Sequence, residues 1–87
     1  MFDIKYFTNT RFQVLHCLYE TSDKNYCTRI TQQEVAEMLH LSRLTVNSML
    51  QQLRDDGFVE FDSTRINKYT LTQKGIETVE TITPVKD

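Results

Sequence analysis

Two helical patterns separated by only a few residues constrain the fold of this chain more than any other feature. The first begins at Thr31, which together with Glu34 fits a capping box: the threonine hydroxyl accepts one free backbone N–H, and the glutamate reaches back to another. Val35, Met38 and Leu39 follow at helical spacing. We therefore expect a helix of about eight residues with these three side chains on its core face.

The second helical pattern follows after a turn at residues 40–41. Ser42 is its expected N-cap, and the helix is predicted from Arg43 to about Asp56. Gly57 stands just past the end, where a left-handed residue is favoured. The apolar stripe of this helix consists of Val46, Met49, Leu50 and Leu53. Two helices joined by so short a turn predict a helix-turn-helix.

The hydrophobic period changes from helical to two after the second helix, which predicts a β-hairpin. Residues 58–62 alternate between two faces, and residues 63–65 suit a turn. The return strand is expected to carry Ile66, Tyr69 and Leu71. A hairpin directly after a helix-turn-helix is a wing.

Two more helices are expected at the ends of this unit. One covers residues 11–20 with Thr10 as its N-cap, and a short extended piece at Arg29–Ile30 follows it. The other is capped by Thr72 and stopped by Pro84. Its apolar face consists of Ile76, Val79 and Ile82. The predicted fold is α+β and mainly α: a winged helix-turn-helix with a three-helix core, a two-stranded wing and a C-terminal helix.

No catalytic constellation is visible in the sequence. It contains neither a Gly-rich phosphate loop nor a nucleophile elbow. Its 87 residues are enough for one modest core but not for a cleft between two lobes. We therefore expect a single domain over residues 1–87 that is not an enzyme.

The exposed face of the second helix carries hydrogen-bonding side chains and no acid before Asp55. In a helix-turn-helix, the apolar face holds this helix so that the opposite face can enter the major groove of DNA. Ser42 and Thr45 near the helix N-terminus suit a phosphate. The candidate base readers are Arg43, Asn47, Ser48 and Gln51. The alternative is a solvated face without a partner, although such faces usually carry Glu and Lys, which favour helix more.

The run from Ile30 to Val59 resembles the helix-turn-helix of winged-helix bacterial transcription regulators. The segments Thr31–Ala36, Leu41–Val46, Leu50–Leu53 and Gly57–Val59 resemble the Crp/Fnr type, whereas Tyr69–Gly75 is similar to the MarR and PadR families. The resemblance covers about two-thirds of the chain. It implies a regulator that binds double-stranded DNA.

The resemblance also implies roles for individual residues. The residues that match contact positions of the family are Thr31, Gln32, Arg43 and Thr45. The resemblance implies phosphate contacts for Thr31 and Gln32 and a base contact for Arg43. For Thr45 it implies a contact to a phosphate or a base. Leu44 and Ser48 stand where the Crp pattern often has a polar reader and an arginine, so the family's target sequence is not implied. The cyclic-nucleotide domain of Crp does not fit within this length, so we expect no ligand control of that type, and no small-molecule effector is evident.

Arg65 at the predicted hairpin tip, with Lys68 beyond it, is the candidate contact of the wing. An arginine at this place can enter the minor groove or touch a phosphate. The alternative is an ordinary solvated turn, and the neighbouring Asp62 indicates a weak contact.

A metal site is not expected. The candidate ligands are Cys17, Cys27, His16 and His40, and no pair of them has the short spacing of a preassembled site. We therefore predict no cofactor, while a redox role for Cys27 stays open. Two unpaired cysteines, no signal peptide and no apolar run of ~20 residues indicate a cytoplasmic protein without a membrane partner.

Apolar residues near both ends of the chain favour a homodimer. Those at the N-terminus are Phe2, Ile4, Tyr6 and Phe7, and those near the C-terminus lie on the last helix. So small a domain has difficulty burying all of them alone, and a symmetric dimer reads two half-sites. The alternative is that both ends fold back over the first helix.

The net charge of −2 argues against nucleic acid, which prefers basic partners. It motivates a different function, a winged helix that binds another protein. The excess acid lies mainly in residues 55–87, which carry seven acids and four bases, so the charge does not exclude DNA binding. A DNA-binding role in plasmid or phage replication or partition is a further alternative to transcription.

Overall fold

The computed structural model describes residues 9–82. In chain order its elements are α1 (Thr10–Thr21), β1 (Cys27–Arg29), α2 (Gln32–Leu39), α3 (Arg43–Asp55), β2 (Val59–Phe61), β3 (Lys68–Leu71) and α4 (Gln73–Ile82). This order is the predicted one, with the short extended piece beginning two residues earlier than expected. The predicted dimer residues near the N-terminus (Phe2, Ile4, Tyr6 and Phe7) and the helix stop at Pro84 lie outside the described residues.

The N-cap of α1 is not the predicted residue. Asn9, not Thr10, is the N-cap: its side chain accepts hydrogen bonds from the backbone N–H groups of Arg11 and Phe12. Thr10 is the first helical residue. Asparagine caps helices at least as well as threonine, so the stronger acceptor one residue earlier starts the helix.

The three strands form one antiparallel sheet in the order β1–β3–β2. The predicted two-stranded wing therefore shares its return strand with β1, which joins the wing to the segment between α1 and α2. The register pairs Val59 with Leu71 and Phe61 with Tyr69 across β2 and β3, and Cys27 with Thr70 across β1 and β3. Because β3 is central, its position is fixed from both sides.

Ile66 does not lie on the return strand, and that prediction was wrong. It lies in the wing loop (residues 62–67), with 90% of its surface exposed. The Asp62 carboxylate accepts hydrogen bonds from the backbone N–H groups of Thr64 and Arg65, at 2.7 and 3.1 Å, which holds these residues in a turn. Asn67 adopts a left-handed conformation (φ 64°) just before β3. The loop is therefore longer than the expected three residues.

The core lies between α1, α3 and the inner face of the sheet. The stripe predicted for α3 is buried at Val46, Leu50 and Leu53, with Met49 half-buried. Met38 was predicted to lie on the core face of α2, and that prediction was wrong, because 55% of its surface is exposed. The buried face of α2 is centred between Val35 and Ala36, and a residue three positions after Val35 lies about 110° of helix rotation from that centre.

Helix α4 closes the core by packing against α1. The Thr72 hydroxyl accepts a hydrogen bond from the backbone N–H of Gly75 at 3.1 Å, as its predicted capping role requires. A Cβ at Gly75 would clash with the carbonyl oxygen of Phe58, so this glycine allows α4 to approach the segment before β2. Val79 is buried, and Tyr19 of α1 donates a hydrogen bond to Glu80 at 2.9 Å.

Candidate nucleic-acid interface

Helices α2 and α3 meet across the short turn that the sequence predicted. The capping box is formed: the Thr31 hydroxyl accepts from the Glu34 N–H at 3.0 Å, and the Thr31 N–H donates to Glu34 Oε1 at 2.9 Å. His40 ends α2 in a left-handed conformation (φ 57°). The Leu41 N–H then donates to the Ala36 carbonyl at 2.8 Å. These local bonds fix the direction in which α3 leaves the turn.

Ser42 is the N-cap of α3. Its hydroxyl accepts from the Thr45 N–H at 3.1 Å and donates to Thr45 Oγ1 at 2.8 Å. The two hydroxyls predicted to contact phosphate are thus partners of each other, and the Thr45 proton remains available as a donor. The N–H groups of Arg43 and Leu44 bond no other described residue, as is usual in a first helical turn. This end of the helix therefore presents donors suited to an anion.

Gln32 connects three elements of the interface. Its amide nitrogen donates to Asn47 Oδ1 at 2.9 Å and so joins α2 to α3. The Gln32 side chain also lies close enough to the Tyr69 phenol of β3 to affect its pKa. Burial raises the pKa of the Tyr69 phenol, and the Gln32 side chain partly opposes that rise. The predicted phosphate contact Gln32 and the predicted base reader Asn47 are therefore already bonded to each other.

The opposite side of α3 from the core forms the reading face, which consists of Arg43, Leu44, Asn47, Ser48 and Gln51. Asn47 is half-buried and the other four are exposed. Ser48 accepts a hydrogen bond from the side chain of Gln52 at 3.3 Å. Among the described residues, the Arg43 guanidinium has no hydrogen-bond or ion-pair partner. The arginine is thus free to reach a ligand from the first turn of the helix.

The wing loop and the first residue of β3 together carry two bases and one acid. Arg65 is exposed, and its guanidinium pairs with no other residue in the described part of the chain. Lys68 forms an ion pair with Asp62 at 3.7 Å. The side-chain and backbone hydrogen bonds from Thr64 lower the pKa of Asp62 to about 2. Asp62 is therefore ionised at neutral pH and offsets the charge of Lys68, as its position in the sequence indicated.

An open cleft separates the helix-turn-helix from the wing. Its lining includes five of the predicted site residues, one from the first turn of α3 and the others from α2 and the wing. The lining residues are Thr31, Gln32, Gln33, Arg43, Phe61, Asp62, Arg65, Ile66, Asn67, Lys68 and Tyr69. Three bases and one carboxylate make the cleft positively charged, in contrast with the whole chain.

Sequence reasoning did not identify the aromatic side of the cleft. Phe61 and Tyr69 lie opposite each other on β2 and β3, with ring centroids 5.1 Å apart in a T-shaped arrangement. The alternation of the hairpin assigned both side chains to the sheet, but only the register between the two strands brings them together beneath Gln32. The pairing of Phe61 with Tyr69 across the hairpin is the signal that could have identified both residues as part of the site.

The predicted metal candidates do not form a site within residues 9–82, where no group of three His, Cys, Asp or Glu side chains could hold an ion. Cys17 is buried, and that burial raises the pKa of its thiol. Cys27 is half-buried, with its sulfur 3.3 Å from the Thr70 hydroxyl. In the same part of the chain, no helix combines the length and the apolar character needed to cross a bilayer.

Two of the solved structures that share this fold are of MepR from Staphylococcus aureus. In one, MepR is a transcription regulator of the multidrug efflux pump MepA; it is 26% identical to this chain, with a TM-score of 0.67 over 85% of this chain and 53% of MepR. The other is a MepR–DNA complex, 25% identical with a TM-score of 0.64, over 91% of this chain and 58% of that one. The chain thus spans just over half the length of these proteins. No curated protein sequence matches it.

The family to which the chain belongs follows from a match that spans most of the described elements. The model of the Crp-like helix-turn-helix domain matches residues 13–73, from α1 to the first residue of α4. This range includes the formed capping box, the left-handed turn at His40 and the hairpin of the wing. The match confirms the resemblance to Crp/Fnr-type regulators: the chain belongs to the Crp-like helix-turn-helix domain family.

Proposed function

We propose that this protein is a transcription regulator that binds double-stranded DNA in a sequence-specific manner. Helix α3 would enter the major groove, whose width of about 12 Å admits an α-helix. The wing loop would contact the adjacent backbone or minor groove. A cytoplasmic location accompanies this proposal.

One observation carries the proposal. Arg43 from α3 and Arg65 from the wing line the same open cleft, and neither guanidinium is paired with a described residue. Because the two unpaired guanidinium groups lie on separate elements, they suit a polyanion that extends beyond the cleft and contacts both α3 and the wing. The reading face supplies the hydrogen-bonding side chains that discriminate base pairs, and it contains no acid.

The proposed contacts divide into two kinds. Phosphate contacts would come from Thr31, Thr45, Arg65 and Lys68, and from the free N–H groups of the first turn of α3. Ser42 and Gln32 would hold their neighbours in place. Base contacts would come from Arg43, Asn47, Ser48 and Gln51. Phosphate contacts would supply most of the affinity, and base contacts the specificity.

The similarity to MepR supports this assignment, since one of the two MepR structures is a complex with DNA. The match to that structure covers 91% of this chain. Because the chain spans little more than half of MepR, neither its effector nor its promoter is carried over.

We further propose that the protein binds DNA as a homodimer. A two-fold dimer would place two α3 helices on half-sites about 34–36 Å apart along one face of the duplex. Light scattering should then give a mass near twice 10.3 kDa in solution, or the mass of the duplex plus two chains on DNA. A monomer of 10.3 kDa, both alone and on DNA, would contradict the dimer.

The decisive experiment is selection from random duplex pools at two salt concentrations, followed by sequencing. The expected result is an enriched motif with an affinity that falls steeply as salt rises. Arg43→Ala should lose about 1–3 kcal/mol of discrimination at one base position. Arg65→Ala should instead weaken binding to all sequences and reduce the salt slope by about one.

A matched control is Arg11→Ala. It removes the same charge, but Arg11 pairs with Asp56 at 3.0 Å, beyond the C-terminal end of α3. It should leave the selected motif unchanged. No duplex binding at low salt would refute the proposed function and favour a winged helix that binds another protein. Mapping the selected sites to promoters or to replication and partition loci distinguishes the two DNA-binding roles.

A further inference from the structure

Leu44 is an exposed apolar side chain within the reading face. It is one of three large apolar residues in residues 9–82 that stay mostly exposed, at 82% of its surface, beside Met38 at 55% and Ile66 at 90%. A single exposed leucine is ordinary on a protein surface. The position of Leu44 is unusual, however, because it lies in the first turn of α3, directly after the unpaired Arg43.

The surroundings of Leu44 give it a chemical context. It lines a shallow depression together with Gln32, Arg43 and Asn47, so an apolar patch lies beside one guanidinium and two amides. The edges of base pairs in the major groove present donors, acceptors and one apolar group, the 5-methyl group of thymine. A leucine cannot form a hydrogen bond, so thymine is the base whose edge it complements.

Helix geometry places the contact beside the base read by Arg43. Successive residues of a helix differ by 1.5 Å of rise and 100° of rotation. Arg43 and Leu44 therefore diverge enough to reach neighbouring base pairs, which are stacked about 3.4 Å apart. The same depression can thus receive a guanine edge and a thymine methyl group together.

We propose that Leu44 determines specificity by packing against the 5-methyl group of a thymine adjacent to the base contacted by Arg43. This inference rests on the proposed DNA binding of α3 and names one feature of its target. The preference of this position for thymine over cytosine comes from apolar contact rather than from hydrogen bonding.

The test uses the duplex enriched by selection, with each thymine replaced in turn by deoxyuracil, which lacks only the methyl group. Burial of a methyl-sized group contributes about 0.8 kcal/mol, so one replacement should weaken binding about fourfold. Leu44→Ala should bind the thymine duplex about fourfold or more weakly than the wild-type protein. It should also be insensitive to the replacement at that position.

A second arm restores the methyl group on a different base. Cytosine at the sensitive position should weaken binding by the wild-type protein, and 5-methylcytosine should recover about fourfold of the loss. The control variant is Met38→Ala, which removes an exposed apolar side chain of α2 that lines neither the cleft nor the depression, and it should keep the thymine-to-uracil ratio of the wild-type protein.

The outcomes distinguish this proposal from the proposal of DNA binding on which it rests. A protein that selects no duplex refutes DNA binding itself. A selected duplex in which every thymine tolerates deoxyuracil refutes only the role of Leu44. The role is also refuted if Leu44→Ala keeps the wild-type sensitivity to the replacement.

Discussion

The hydrogen bond between Gln32 and Asn47 makes a quantitative prediction, because it joins the two helices of the helix-turn-helix. It measures 2.9 Å, is half-buried, and is accompanied by the contact of Gln32 with Tyr69 on the wing. Gln32→Ala leaves the Asn47 oxygen without its partner. A buried group left unpaired costs about 1–3 kcal/mol, and partial access to water places the expected loss near 1 kcal/mol.

The pairwise contribution is isolated by a double-mutant cycle with Gln32→Ala and Asn47→Ala. We expect a coupling free energy of about 0.5–1 kcal/mol in urea unfolding followed by circular dichroism. A matched control is the pair Gln33 and Glu37, which forms a 3.1 Å hydrogen bond on the exposed surface of α2. That cycle should give only about 0.2–0.5 kcal/mol, as exposed helical pairs do.

An independent readout comes from Tyr69. The Gln32 side chain lowers a phenol pKa that burial raises. Removing Gln32 should therefore move the Tyr69 pKa further upward, which NMR titration with ring-labelled tyrosine resolves. Free energies of unfolding that add within about 0.3 kcal/mol, together with an unchanged or lowered Tyr69 pKa, would refute the idea that Gln32 ties the helix pair to the wing.

Three further predictions concern single residues. Thr31→Ala removes the cap of α2 and should cost about 0.5–2 kcal/mol in urea unfolding, whereas Thr31→Ser should cost much less. Gly75→Ala places a Cβ against the Phe58 carbonyl and should cost about 1–3 kcal/mol by the same assay; an unchanged midpoint would show that α4 shifts freely. Asp62 has its pKa lowered to about 2 in the folded state, so its stabilising contribution is present above its ordinary pKa of 3.8 and is lost as pH falls towards 2. In thermal unfolding between pH 5 and pH 2, Asp62→Asn should lose less stability than the wild-type protein.

The helix-turn-helix was predictable from sequence because its decisive bonds are local. Thr31 bonds Glu34, Ser42 bonds Thr45, and Gly57 adopts the left-handed conformation (φ 81°) expected just after α3. Each of these signals spans at most four residues, so side-chain chemistry and spacing are enough to identify it. The same locality explains the small error at Asn9: Asn9 and Thr10 are adjacent capping residues, and the helix starts after the one that caps more strongly.

The wing and the cleft depend on contacts between distant residues, which a local pattern does not specify. Ile66 is a β-branched residue that lies just before the return strand in sequence, but the turn held by Asp62 keeps it out of β3. The bond between Gln32 and Asn47 requires the crossing of two helices. The proposed site residues were therefore identifiable by type, whereas their pairing was not.

The net charge of −2 is a poor guide to this surface, because many acids are engaged elsewhere. Asp56 pairs with Arg11, Asp55 with Arg54, and Glu80 accepts a hydrogen bond from Tyr19. Charges beyond about 8 Å are largely screened at physiological salt, so these acids act on their own neighbours more than on the cleft. The electrostatic attraction of DNA would thus depend on a few unpaired bases. Non-specific affinity should be low, and base contacts must carry an unusually large share of target selection.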